Sequence, residues 1–519
     1  MSEISPDLVA DATIITDLDA SLRLVEKYGD QIRYSPGVGW LSWEGRRWEQ
    51  GDRRLLAYSR STARARTIET LEVGNRDLVG RALTLEGASH IAGAVKLAES
   101  DLRIVVDPAK LDADPWLLNV ENGMLNLRTG ELLPHTKSVM MTKLAPVAYD
   151  ATAVHPALTK YLADLDAGMP GMSDFLARCL GMALTGDASA EVLHLLQGDG
   201  GGGKTTLTDP FGAMLGDYAV KLPFTSFMLS KHGRSPGAAS PDLVVLRGAR
   251  FAFAAEGDAS AKIDAGIVKN LTGGEAVTAR GLYSAPITFP QTWKLWFVSN
   301  YDPKCDADDS GLWRRLVKVT FPAIPAEKRD PAVKAALMSD PLARSALLAW
   351  SVRGCRAWLA AGGGRQGLAI PAAVDAWTAA YRDKQDSLNA WWRDALNEDF
   401  RLTRGGLTAV ATLRQHYEDW AHEQGLPPVL GRRFNEYLEA RGLVRAQARM
   451  TPSYSYTNTK TNTKVWRGLA EGRLERETDE TDVTDLPKTS PIARTGEVCG
   501  EAVTPVTPPL IEGDEGGCL

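Results

Sequence analysis

The sequence predicts an α/β fold with a mainly parallel sheet at its core, and three observations carry that prediction. An apolar, strand-like run, Val192–Leu196, leads directly into the glycine-rich turn Gly198–Gly203 and then Lys204-Thr205. Short apolar strands alternate with helical stretches from Glu191 to about Pro322, the pattern of repeated βα units. Two of those strands end in chemically useful residues: Arg250–Ala255 runs into Glu256 and Asp258, and Trp293–Ser299 into Asn300. Open α/β sheets hold their ligands at this carboxyl edge.

The glycine-rich turn fits the phosphate-binding pattern G-x4-G-K-T at every position, Gly198 through Thr205. Gly198, Asp199, Gly200, Gly201, Gly202 and Gly203 would turn successive backbone N–H groups toward phosphate oxygens, because glycine allows the required backbone conformations. Lys204 would neutralise the β/γ-phosphates of ATP, and the Thr205 hydroxyl would ligate Mg²⁺. Thr206 continues the first turn of a helix that opens at about Gly203 and adds its N-terminal dipole. Pro210 should kink or shorten that helix.

Glu256 and Asp258 stand 52 and 54 residues beyond Lys204. One would hold Mg²⁺, the metal-site choice being Glu256 beside Thr205, and the other would polarise an attacking water. The Asn300 amide would report whether the γ-phosphate is present. Trp313-Arg314-Arg315 follows, and one of these arginines would stabilise charge building on a transferring phosphoryl group. Between Asp258 and Asn300 lies a helix end carrying Lys269, then a hairpin with its tip near Gly281–Pro286. Its Arg280 and Tyr283 suit phosphate contact and base stacking.

The remaining stretches are read as flanking domains. Residues 1–150 predict a small α/β domain: a partly helical start, a β-hairpin over Tyr34–Gln50, charged helices to about Glu99, and short strands turning at Asn122-Gly123 and Thr129-Gly130. Residues 151–190 predict amphipathic helices, either core packing or an oligomerisation collar. The ATPase core spans 191–325 and a helical segment 326–395, with helices at Leu342–Ala360 and Pro371–Leu396. Over 396–470, two helices (from Thr408, and Gly431–Arg441) and strands in LVRAQARM and KVWRGL read as a winged helix. Eight basic residues against Glu436 and Glu439 between Leu430 and Gly468 suit a phosphate backbone, with Arg432, Arg433, Arg441 and Lys464 as contacts.

Composition narrows the classes. With 44% hydrophobic and 24% charged residues, the 519-residue chain reads as an ordinary globular protein of several domains. Five scattered cysteines without a C-x2-C pair argue against a structural zinc or a disulfide framework. No signal peptide and no run near the ~18 apolar residues of a membrane span are found, so a cytoplasmic protein, in a bacterial host, is expected. The net charge of −6 is uneven: from Glu471 onward twelve acids face four bases, so that segment carries −8 and the first 470 residues +2. The acidic 471–519 segment predicts disorder.

Taken in order, the phosphate loop, the acids, Lys269-x2-Thr272-Gly-Gly-Glu275-x4-Arg280, the strand to Asn300 and Trp313-Arg314-Arg315 resemble the superfamily 3 helicases of phages and plasmids, in the group with the poxvirus-type primase–helicases. The resemblance extends over roughly residues 110–470. It implies an AAA+-like P-loop core in a homohexameric ring that translocates 3′ to 5′ on single-stranded or forked DNA with ATP and Mg²⁺. It also implies Arg315, or Arg314, as a finger toward the neighbouring subunit's ATP, and the hairpin in the pore. The spaced acids depart from the adjacent pair of many relatives, and priming would need a separate primase. An ATP-switched origin-binding or loading factor that does not unwind is the alternative reading.

Overall fold

Alternation of apolar and polar residues near the N-terminus is realised as strands, and the charged stretch after it as helices. Helix α1 (Asp17–Tyr28) starts at Thr16, whose hydroxyl accepts the Asp19 N–H at 3.2 Å. Strands β1 (Ile32–Ser35), β2 (Gly39–Trp43) and β3 (Trp48–Gln50) form an antiparallel sheet, the expected hairpin with a third strand added. Helices α2 (Arg53–Val73), α3 (Arg76–Thr84) and α4 (Ala88–Ala98) follow, then the antiparallel strands β4 (Leu117–Val120), β5 (Gly123–Asn126) and β6 (Leu132–Leu133). The computed structural model describes residues 14–229, 241–255, 262–281, 286–426, 428–450 and 461–471. It divides into two units, Met1–Arg393 with Arg414–Tyr437, and Asp394–Leu413 with Leu438–Leu519.

Helices α5 (Pro156–Gly168) and α6 (Met172–Ala183) occupy the segment left open between core and collar. Nine of the twelve residues of α6 are buried, so its apolar face is core. It crosses α12 (Pro341–Ala360) at backbone distance: a Cβ on Gly354 would lie 1.9 Å from the Ala177 carbonyl oxygen. Glycine at that crossing is a steric requirement.

The first unit is centred on a five-stranded, all-parallel sheet. In chain order it is built from β7 (Leu193–Gln197), α7 (Lys204–Leu215), β8 (Ala219–Pro223), α8 (Pro241–Val244), β9 (Phe251–Ala255), α9 (Ala265–Thr272), β10 (Val277–Ala279), β11 (Ile287–Phe289), β12 (Lys294–Ser299), α10 (Ser310–Trp313) and β13 (Leu316–Thr320). The spatial order is β13-β7-β12-β9-β8, with β10 and β11 as a separate hairpin. Every residue of β12 is buried, as expected for a parallel strand covered on both faces. Buried Arg250, at the entry to β9, donates to the carbonyls of Leu184 and Leu117 and fastens the sheet to α6 and β4.

Three expectations need correction. Helix α7 runs twelve residues through Pro210 to Leu215, because Leu207, Phe211 and Met214 are buried on it and outweigh the local cost of the ring. After α11 (Pro331–Ser339), α12 and α13 (Gly364–Gly367), the stretch Pro371–Leu396 is two helices, α14 (Ala372–Gln385) and α15 (Ser387–Glu398), with Asp386 between them accepting the Leu388 N–H. Before α16 (Val410–Glu423) and α17 (Gly431–Ala440) comes an unanticipated strand, β14 (Phe400–Ala409). In the second unit it joins β16 (Thr461–Glu471) and β15 (Val444–Met450) in the order β14-β16-β15, and the expected pairing of LVRAQARM with KVWRGL is realised in β15 and β16. No helix among the described residues is long and apolar enough to cross a membrane.

Candidate nucleotide site

The parallel register brings three strand ends to one edge. Ser299 on β12 pairs with Gln197 on β7, which in turn pairs with Thr320 on β13. The loop that leaves β7 therefore rises between the ends of β12 and β13. Gly201 and Gly203 take φ values of +87° and +91°, the left-handed region that favours glycine, and Gly203 caps α7. Asp199, Gly200 and Gly201 are exposed on the loop, while Gly202 is buried against Pro322.

Lys204, 5% exposed, folds its Nζ under the loop. It donates to the carbonyls of Gly198 and Asp199, the latter at 3.0 Å, and to Asn300 Oδ1 at 3.2 Å. Burial lowers the ammonium from the usual lysine pKa, with Asp199 opposing. Asn300 is held in turn by Gln197, whose side-chain amide donates to the Asn300 carbonyl. Thr205 is exposed and Thr206 half-buried on the first turn of α7. The amide and the lysine, far apart in sequence, thus share one point in space.

Two residues at this loop were not singled out in the sequence. The Tyr161 hydroxyl on α5 donates to the Gly203 carbonyl at 3.2 Å. The Arg329 guanidinium donates to the Gly200 carbonyl at 3.2 Å and to that of Ile324 at 2.8 Å. Tyr161 belongs to an apolar helix face and reads as core, and Arg329 lies in an aperiodic proline-rich stretch. Neither carries a signal of its own.

The other candidates separate. Strand β9 ends at Ala255, paired with Val298 of β12. Glu256, Asp258 and Tyr283 lie outside the described residues, and no cluster of metal-ligating side chains occurs among the described ones. Arg280 is exposed directly after β10. Lys269 is bound at 2.8 Å to Asp309, the residue that caps α10, with its side chain 40% exposed.

Arg314 and Arg315, the two candidates for the finger, lie in different surroundings. Arg315 is buried, donating to Glu191 at 2.8 Å and to the Gly311 carbonyl at 3.0 Å. Its own carbonyl accepts the Leu193 N–H at the start of β7, the sheet edge opposite the glycine loop. Arg314 has a side chain 67% exposed, 3.6 Å from the same Glu191. An arginine that reaches another subunit needs an accessible head, and Arg314 has it.

Arg433, expected on DNA, instead ties α17 to Asp308 at 2.5 Å and Asp386 at 3.4 Å. Arg432 stays outward, its side chain 89% exposed and paired with Glu436 at 2.8 Å. In the second unit Arg441 and Lys464 are both exposed.

Comparison with known proteins adds the relatives. Residues 21–166 match the family described as D5 N terminal like. "Putative helicase L207/L206" of Acanthamoeba polyphaga mimivirus is 35% identical over 150 residues, 29% of this chain and 15% of that protein. The relatives are viral proteins named as putative helicases and primases. "Putative helicase 022R" of Frog virus 3 is 31% identical over 170 residues, 32% of this chain and 17% of that one. "Putative primase C962R" of African swine fever virus is 27% identical over 220 residues, 40% and 23% respectively. The matches thus span less than a quarter of each relative's length. Among solved structures, the apo NrS-1 C terminal region covers 86% of this chain and 99% of its own at 10% identity and a TM-score of 0.48.

Proposed function

We propose that this chain is an ATP-driven DNA helicase of superfamily 3 type, a ring-forming motor that unwinds DNA, in the 3′ to 5′ direction, during replication of a phage, prophage or plasmid. The observation that carries the reading is the meeting of Lys204 with Asn300 at the carboxyl edge of adjacent parallel strands. A lysine on a glycine loop and an amide on the next strand are what an NTP γ-phosphate needs: a cation to neutralise it and a donor to sense it.

The chain's residues fit ATP with Mg²⁺ in chemical type. The loop glycines would present N–H groups to phosphate and Lys204 would leave the loop carbonyls for the β/γ-phosphates. Thr205, exposed beside it, would ligate the metal together with Glu256 or Asp258. Mg²⁺ would supply charge neutralisation at the transferring phosphoryl group. Arg314 would complete the neighbouring subunit's site in a homohexamer. Arg280 and Tyr283 would meet DNA in the pore, a C-terminal winged helix would add a second contact through Arg432, Arg441 and Lys464, and a separate protein would prime.

Strand displacement on a forked duplex tests the reading. ATP-dependent displacement by the wild-type chain and none by Lys204→Ala is the expected result. ATP hydrolysis and DNA binding without displacement, on forks of either polarity, would replace the motor with a loading factor.

A further inference from the structure

We infer that the outer face of helix α2 is a nucleic-acid backbone contact, a second DNA site in the N-terminal region. Its choice of polyanion rests on the helicase reading, but the surface itself is independent of the nucleotide site.

Between Gly45 and Arg66 the chain holds seven arginines against two acids, Glu49 and Asp52. The structure sorts them. Arg66 is buried with Asp19 and Glu69, and Arg47 is taken up by Glu44 and Asp217. Arg46, Arg53, Arg54, Arg60 and Arg64 are exposed. Arg54 has Glu49 at 3.5 Å and Arg64 has Glu86 at 3.2 Å. Among the described residues Arg46, Arg53 and Arg60 have no carboxylate within salt-bridge distance.

Helix periodicity turns this excess into a line. The opposite side of α2 buries Leu55, Ser59, Thr62, Ala63 and Thr70, so the helix cannot roll to hide its charges. Arg53, Arg60 and Arg64, at i, i+7 and i+11, fall within about 40° of one another on a 3.6-residue period and span about 16 Å. That length covers about five phosphates of one strand at ~3.4 Å each. Arginine's planar fork grips phosphate oxygens in pairs, which a lysine cannot do. A row of solvated cations repelling one another is a cost to the fold unless a polyanion covers it. The occupant that fits is an extended phosphate backbone.

The test uses the full chain carrying Arg53→Gln, Arg60→Gln and Arg64→Gln together, and the matching triple lysine variant as a rescue. Binding of a labelled single-stranded oligothymidylate and of a forked duplex is measured across a salt series. The triple glutamine variant should lose at least tenfold in affinity at low salt, and its log–log salt slope should fall by about 2, roughly 0.7 per phosphate contact on a single strand. The lysine variant should recover most of the slope. ATP hydrolysis without DNA should be unchanged, since α2 supplies nothing to the nucleotide loop. A folded glutamine variant with wild-type affinity and slope overturns the inference and leaves the helicase reading standing. Tighter DNA binding by that variant also overturns it, making α2 the seat of the acidic 471–519 segment. A wild-type chain that binds neither DNA overturns both.

Discussion

Lys204 Nζ lies 3.2 Å from Asn300 Oδ1, across two neighbouring parallel strands. The contact follows from register: Gln197 opposite Ser299 leaves both side chains at the same edge, one on the loop and one at the strand end. On the proposed helicase reading the two would act on one phosphate but in different ways, and their variants should separate. Lys204→Ala removes the cation and should abolish hydrolysis, a loss of ~10³-fold or more. Asn300→Ala should leave ATP affinity within a few-fold while turnover falls by ~10- to 100-fold, the size of a misplaced water or γ-phosphate. Equal losses of binding in both variants, measured by nucleotide titration and steady-state hydrolysis, would contradict the division of labour.

The paired arginines predict a division between chemistry and stability. Arg314→Ala changes an exposed side chain, so the protein should keep its melting temperature, bind ATP and hydrolyse it ~10³-fold more slowly. Mixing it with Lys204→Ala should restore part of the activity where an intact loop meets an intact finger. Arg315→Ala removes a buried guanidinium from Glu191 and the Gly311 carbonyl and should cost about 1–3 kcal/mol, read as a lowered melting temperature. Recovery by mixing with Arg315→Ala as the poorly active partner, and not with Arg314→Ala, would restore Arg315 as the finger.

Much of the fold was legible because its signals are local. Periodicity and turn residues marked the N-terminal strands, the apolar runs of the parallel sheet and the β15–β16 pair. The glycine-rich turn after β7 was legible because its backbone takes positive φ at Gly198, Gly201 and Gly203. What escaped depends on contacts between distant segments. Pro210 is tolerated because packing around α7 outweighs a local cost, and β14 is a strand because β16 pairs with both of its ends, Phe400–Leu402 and Leu407–Ala409, while Arg404-Gly405-Gly406 falls in the register shift between them. Arg314 and Arg315 are indistinguishable as letters; Glu191 lies near both, and the burial of Arg315 against the Gly311 carbonyl shows only in the fold. Arg433 reads as a DNA contact until Asp308 and Asp386, distant in sequence, are found beside it.

Arg329 predicts an effect on nucleotide affinity that no motif announces. Its guanidinium braces the crest of the loop at the Gly200 carbonyl, so Arg329→Ala should loosen the loop and weaken ATP binding by about tenfold, a hydrogen-bond-sized loss of ~1.4 kcal/mol. Gly201→Ala should do more. Its Cβ would fall 2.3 Å from the Arg329 guanidinium carbon on a backbone held at φ +87°. Fluorescent-nucleotide titration of the two variants checks both, and unchanged affinity in Gly201→Ala would mean the crest plays no part in binding.

Lys294 gives a prediction about pH. Its ammonium is buried at the start of β12, donating to the Thr185 carbonyl and to that of Thr292 at 3.2 Å, and no ion pair with it is found among the described residues. Burial, reinforced by the nearby Arg250 charge, holds its pKa well below the usual lysine value, Asp187 opposing. In the unfolded chain the group titrates near 10.4. Between the two values the unfolded state binds more protons, so unfolding free energy rises with pH across that window. Below the depressed value both states are protonated and the penalty for burying the charge is fully present. Lys294→Met removes the titration and nearly preserves the volume. The difference in urea midpoint, wild type minus variant, should therefore climb as pH is raised from 7 to 10, other titrating groups cancelling because both proteins carry them. Parallel midpoint curves over that range would mean that Lys294 keeps an ordinary lysine pKa in the folded protein.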